Sequence, residues 1–407
     1  MKHPDEHAKT ASVTPSGRPR TSRLFLVVFA ALAAAGLLSA ALLVIAIDPF
    51  FRYHAPVGGF PYVIDNQLSQ NIGMAEHFSY DAVITGSSMT MNFDTEDFTA
   101  QFPDHPQTLK LTMNGALPHD IRRILSAVFE RSGTSHRGPR DPAGAAPTNG
   151  EAAAIADAAA APVDVSAGSG IREVFIAIDP ATWTAGTEEV KYPYPEYLYD
   201  RNPFNDVKYL WNREVLLDYC LRPMIEREGT PLNRIYMTEW EDDLYYTLDW
   251  ILAHYEEPAE NPAETPADAY LADTDRNLAE NLLPWIDAHP ETTWYFFYPP
   301  YSILYWHDVI RENHLEATLA QERLIAERLL SRPNTRIYQF QDWDSVILNI
   351  NGGYMDEIHF RPEINHQMVY AMASSADAVE SIADMDRHLE RLRLILQTYD
   401  QPIEALR

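Results

Sequence analysis

A chain of 407 residues is long enough to bury a sizeable core and suggests one large domain or two. Its 46% hydrophobic and 11% aromatic content excludes global disorder, and a formal net charge of −28 argues against nucleic acid as a partner, because phosphate binding needs clustered Lys and Arg. The single cysteine, Cys220, excludes an intramolecular disulfide and a cysteine-based zinc site; within the apolar run "LLDYCLRP" it reads as a buried thiol rather than a nucleophile.

The first element in chain order is Leu24–Ile47, 24 residues without a charge. As a helix it reaches about 36 Å, enough for a hydrocarbon core of roughly 30 Å and longer than the apolar region of a cleavable signal. It is expected to be an uncleaved, single-pass signal anchor. Lys2, Lys9, Arg18, Arg20 and Arg23 precede it, and the first charge after it is Asp48. The positive-inside rule then makes residues 1–23 a cytoplasmic tail and puts the remainder outside the membrane. Residues 48–80 read as a juxtamembrane segment whose aromatics, Phe50, Phe51, Tyr53, Phe60 and Tyr62, either sit at the interface or pack.

An extracytoplasmic α/β domain is expected over 81–400. "YDAVITG" reads as a buried strand and "LKLTM" as a second, followed by a Gly-containing turn and a helix from Asp120 with Ile121, Ile124, Leu125 and Val128 on one face. Residues 132–170 collapse to Ala, Gly, Pro, Ser and Asp and are expected to be a low-complexity insertion. "REVFIAIDP" resumes as a strand. Helices around 268–288 and 315–331 precede the strands "TTWYFFYPPY" and "TRIYQF", and "YMDEIHFRPEINHQMVYAMASS" turns into a further helix. This alternation implies a parallel sheet flanked by helices in a three-layer arrangement, with sites beyond the carboxyl ends of the strands. Gly-Ser-Ser after "DAVIT", Asn-Gly after "LKLTM" and Asp-Pro after "VFIAI" all fall there.

A serine hydroxyl becomes a nucleophile when a His takes its proton and a carboxylate orients that His. Asp356 and His359 in "YMDEIHF" are three apart, neighbours on a single turn, which leaves the far ring nitrogen to face a serine. His366, two turns along a helix from His359, is the rival base; His307 either lines a cleft or caps a helix, and Asp179 and Tyr301 belong to the cleft wall. No P-loop, Gly-x-Gly-x-x-Gly or metal-ligand spacing is present, so neither cofactor nor metal is expected.

A Gly-Ser-Ser after the first strand with an Asp-x-x-His near the C-terminus resembles the SGNH/GDSL hydrolase superfamily, in particular its membrane-anchored members of lipoteichoic acid D-alanylation and envelope O-acylation. The resemblance covers most of the chain after residue 80, in short motifs. It implies an SGNH-like, flavodoxin-like fold with Ser88 as nucleophile, Ser87 in place of the family's Asp, His359 as base and Asp356 as orienter. The oxyanion donors it implies are the Ser88 N–H and Gly115, with Asn114 either a side-chain donor or a turn residue. The family's third block, Gly-x-Asn-Asp, is absent, and the matching strand ends at Asp179. The expected activity is that of a serine esterase or O-acyltransferase on cell-envelope polysaccharide or teichoic-acid-like polymers, beside a membrane-bound O-acyltransferase partner. The alternative is a non-catalytic envelope module that stacks glycans on the Tyr- and Trp-rich middle of the chain.

Overall fold

Short runs of β-branched and aromatic residues form five parallel strands: β1 (Ala82–Thr85), β2 (Thr108–Lys110), β3 (Glu173–Ala177), β4 (Thr293–Tyr298) and β5 (Thr335–Gln339), in the order β2-β1-β3-β4-β5. The computed structural model describes residues 20–131, 170–200, 202–237 and 243–399. Every residue of β1 and β3 is buried, as befits strands covered by helices on the sheet's faces, which is why "AVIT" and "VFIA" read as unbroken apolar runs rather than alternating ones. The chain runs from β1 out to β2 and then returns to β1's other side for β3, so the topological switch of this doubly wound order lies between β1 and β3. Thr85 pairs with Ile176 and Ile176 with Phe296, so the loops leaving β1, β3 and β4 begin at one level. A row of rings ties the sheet to the helix Thr95–Gln101: Phe98 lies 4.6 Å from Phe175 and Phe175 lies 4.7 Å from Tyr295. Each such pair adds about 0.5–1.5 kcal/mol beyond the area it buries.

The helix expected around 268–288 is present from Leu271 to Ala288, with one wider turn inside it. Leu271–Asn277 gives way to a wide turn at Leu278–Leu282 and restarts as Leu283–Ala288, with Pro284 at its first turn, where no N–H is needed. The expected low-complexity insertion lies outside the described residues except for Gly170.

The N-terminal helix Arg20–Ile47 contains a 25-residue stretch, Arg23–Ile47, long and apolar enough to cross a membrane. Of the two places open to the aromatics of residues 48–80, the core is where Phe50, Phe51 and Tyr62 lie. Asp48 turns the chain directly after the helix. Its carboxylate accepts the backbone N–H groups of Arg52, Tyr53 and His54 at 2.9, 2.6 and 2.9 Å and the Tyr209 hydroxyl at 2.9 Å. The helix Gln67–His77 then packs on that turn so closely that a Cβ on Gly73 would meet the Phe50 carbonyl oxygen at 2.2 Å. Residues 48–80 are therefore part of the domain's packing, not a spacer before it.

Candidate active site

β1 ends at Thr85, and the next residue must turn sharply without a side chain. Gly86 has φ +143°, and a Cβ there would crowd Thr90 Cγ2 at 3.1 Å and touch Ala177. Ser87 then caps a single helical turn, Ser88–Thr90, with its Oγ accepting the Met89 N–H at 3.2 Å. Ser88 opens that turn, so its own N–H stands outside the turn's hydrogen bonds. Its side chain is 8% exposed.

The partner arrives from the other end of the chain. His359 Nε2 lies 2.8 Å from Ser88 Oγ, and His359 Nδ1 lies 2.5 Å from Asp356 Oδ2. With Nδ1–H donating to the carboxylate, Nε2 carries the lone pair that accepts the Ser88 proton. Sequence spacing suggests that Asp356 and His359 meet on a helical turn, but they meet in a loop. Tyr354 and Phe360 form an antiparallel bridge, Met355 N–H donates to the His359 carbonyl at 3.0 Å, and Asp356 Oδ1 accepts the N–H groups of Ile358 and His359 at 2.9 and 2.7 Å. The carboxylate thus folds the loop with one oxygen and orients the imidazole with the other. Burial works to raise the Asp356 carboxyl, yet the hydrogen bonds and charge of His359 outweigh it and hold the group below the usual carboxylate range.

A second carboxylate stands beside the Ser87–Ser88 turn. Asp179, two residues beyond the end of β3, is buried and accepts a hydrogen bond from the Tyr301 hydroxyl, with the Ser87 hydroxyl also favouring its charged form. Here burial prevails over both hydroxyls and over His359, and the carboxyl is pushed up. Two acids near one serine are therefore driven in opposite directions by their surroundings. The sequence marks Asp179 and Tyr301 as cleft wall; their junction with Ser87 is visible only in three dimensions.

Residues that sequence reasoning missed hold the loops in register. Asn92, four positions beyond Ser88, donates to the Phe360 carbonyl at 2.9 Å, and Asn365 donates to the Asn92 carbonyl at 2.9 Å. Tyr354 OH donates to the Pro300 carbonyl at 2.6 Å and Ser302 Oγ to the Glu357 carbonyl at 2.6 Å, which fastens the His359 loop to the end of β4. On the opposite side, Asn71 donates to the Thr112 carbonyl at 2.8 Å, and Thr112 Oγ1 donates to the Ser87 carbonyl at 2.7 Å.

Asn114 and Gly115 follow β2 on a loop tied to the nucleophile turn by Met113 N–H donating to the Gly86 carbonyl at 3.0 Å. Gly115 has φ +63°, with the Lys191 side chain against it. Asn114 is exposed, its backbone N–H donates to Gln67 Oε1 at 2.8 Å, and its side chain makes no hydrogen bond to Ser88 or His359 among the described residues. His366 is not brought to Ser88: its Nδ1 lies 2.8 Å from Asp97 Oδ1 at an exposed edge. His307 does not cap a helix: it lies inside the helix Ile303–Arg311, which Ser302 caps, and pairs with Glu257 at 3.0 Å. Comparison with protein families, curated proteins and solved structures gives no match for this chain, so the site is read from its own geometry.

Proposed function

We propose that the protein is a membrane-anchored, extracytoplasmic serine esterase or O-acyltransferase of SGNH type, acting on cell-envelope glycans or teichoic-acid-like polymers. The observation that carries this reading is the continuous hydrogen-bonded line from Ser88 Oγ through His359 to Asp356. In the first half-reaction His359 Nε2 takes the Ser88 proton as Oγ attacks an ester carbonyl, and Asp356 stabilises the imidazolium that forms. The developing oxyanion is met by the Ser88 N–H, with Gly115 and Asn114 on the neighbouring loop as the remaining candidate donors. His359 then gives its proton to the departing alkoxide, leaving an ester on Ser88. Attack by water releases the acyl group as a carboxylic acid, and attack by a sugar or polymer hydroxyl transfers it to that oxygen; in both, His359 takes the attacker's proton and returns it to Ser88 Oγ as the acyl bond breaks. The positive residues before the N-terminal helix support an outward-facing domain, and tethering supports surface polymers as acceptors, with a membrane-bound O-acyltransferase as the source of acyl groups.

The test is covalent labelling of the full chain by a fluorophosphonate probe. Wild type is expected to label at Ser88 and Ser88→Ala not at all. An unlabelled wild type, or a labelled Ser88→Ala, removes the catalytic assignment and leaves the non-catalytic envelope module.

A further inference from the structure

The N-terminal helix and the domain overlap in height. Over Leu24–Ser39, 16 residues, the helix is exposed on all sides. At 1.5 Å per residue that stretch is about 24 Å long, short of a hydrocarbon core of roughly 30 Å. From Ala40 onward one face is covered by the domain, with Ala41, Val44 and Ile47 buried. The covering elements are the short helix Val207–Leu210 and the helical stretch Val215–Leu221, which continues into Arg222–Glu226. Contact reaches still further along the anchor, because Trp211 Nε1 donates to the Leu37 carbonyl at 2.8 Å. A helix that spans the bilayer therefore carries these elements below the membrane surface by about 6 Å or more.

Their free surface suits that depth. Phe204 is 90% and Ile225 79% exposed, and Val207, Trp211, Leu217 and Met224 are exposed with them. Large apolar side chains exposed to water are costly, whereas an interfacial helix buries its apolar side about 5–10 Å into the boundary between headgroups and acyl chains and leaves its charged side, here Lys208, Asp218, Arg222 and Glu226, to the headgroups. Trp211, half exposed and bonded through its indole N–H, is the residue type that gathers at that boundary. Charge is no substitute for this burial, since a chain with net charge −28 gains nothing overall from anionic headgroups.

We infer that the face formed by Phe204, Val207, Trp211, Leu217, Met224 and Ile225 is immersed in the acyl-chain boundary of the adjoining leaflet, so that the domain is held by a second membrane contact beside its anchor. The occupant of the face is lipid. The inference rests on the anchor crossing the membrane and is independent of the chemistry at Ser88.

The test uses the full chain in phosphatidylcholine vesicles, with NBD attached to Phe204→Cys, Ile225→Cys or, on the remote helix Ile382–Thr398, Leu394→Cys. Wild type, whose one cysteine Cys220 is buried, gives the labelling background. NBD at 204 and 225 is expected to shift to the blue and to lose at least about a third of its emission when the lipids carry doxyl groups on their acyl chains, with no change at 394. Emission at 204 and 225 as water-exposed as at 394 overturns the inference. So does a blue shift without doxyl quenching, which means that protein, such as a second copy, covers the face. A protein that fails to react with fluorophosphonate leaves these outcomes unaffected.

Discussion

Asn at position 356 would preserve the shape of the loop and remove only what the charge does. In wild type Asp356 Oδ1 accepts two backbone N–H groups and Oδ2 accepts His359 Nδ1–H at 2.5 Å. Asn has a single side-chain acceptor, and the two backbone donors claim it, leaving its NH2 to face the ring. His359 Nδ1 must then accept, Nε2 becomes protonated, and the lone pair 2.8 Å from Ser88 Oγ is lost. In serine hydrolases this wrong tautomer costs about 10⁴-fold in rate, which corresponds to about 5.5 kcal/mol of transition-state stabilisation. The assay is the pseudo-first-order rate of fluorophosphonate labelling of the detergent-solubilised chain, with thermal unfolding to confirm that the fold survives. A folded Asp356→Asn that labels within tenfold of wild type refutes the role given to Asp356.

Gly73→Ala drives a methyl into the Phe50 carbonyl and is expected to destabilise by about 2–3 kcal/mol, lowering Tm by about 2–4 °C, whereas Gly36→Ala, with nothing within 4 Å, leaves Tm unchanged; the readout is thermal unfolding in one detergent. Burial pushes the Glu322 carboxyl up from 4.5 to about 8, so the folded state holds a proton that the unfolded state has released, and stability present below pH 4.5 falls as pH rises towards 8. Glu322→Gln is expected to abolish that fall, on the order of a few kcal/mol, in denaturant titrations at stepped pH. Lys110, buried with its amine donating to the Met91 and Ile235 carbonyls, is pushed down from 10.5 to about 7 and works with the opposite sign. The folded state releases its proton first, stability rises with pH from about 7 to 10.5, and Lys110→Met should remove that rise in the same titrations.

The sheet was legible because buried parallel strands are written as continuous apolar runs ended by turn residues. "DAVITG", "REVFIAIDP" and "TWYFFYPP" each contain the strand they suggest, "TRIYQF" contains β5 although Arg336 is exposed in it, and "LKLTM" overlaps β2 only at Leu109 and Lys110. Residues 48–80 were ambiguous because an aromatic beside an apolar helix has the same composition whether it meets lipid or core. The burial of Phe50, Phe51 and Tyr62 and the approach of Gly73 to Phe50 decide it. The Ser88, His359 and Asp356 side chains were nameable from residue type and from their positions at strand ends. The loop that joins two of them was not, because an i,i+3 spacing serves a helical turn and an Asp-capped loop alike. Ser87 meeting Asp179, and Asn92 meeting Phe360, bring together residues 92 and 268 positions apart; no local pattern encodes such pairs.

The turn at Phe50 seats against Gly73, the same helix reaches Thr112 through Asn71, and Thr112 grips the Ser87 carbonyl. Three contacts thus connect the end of the apolar helix to the residue before Ser88. On the function proposed above, an enzyme mounted this way would not sweep a hemisphere on a leash. It would stand at one height and one tilt relative to the lipid, so any polymer it modified would have to be presented within that fixed shell. Replacing the anchor with a foreign helix and a flexible spacer would keep the chemistry and lose the address.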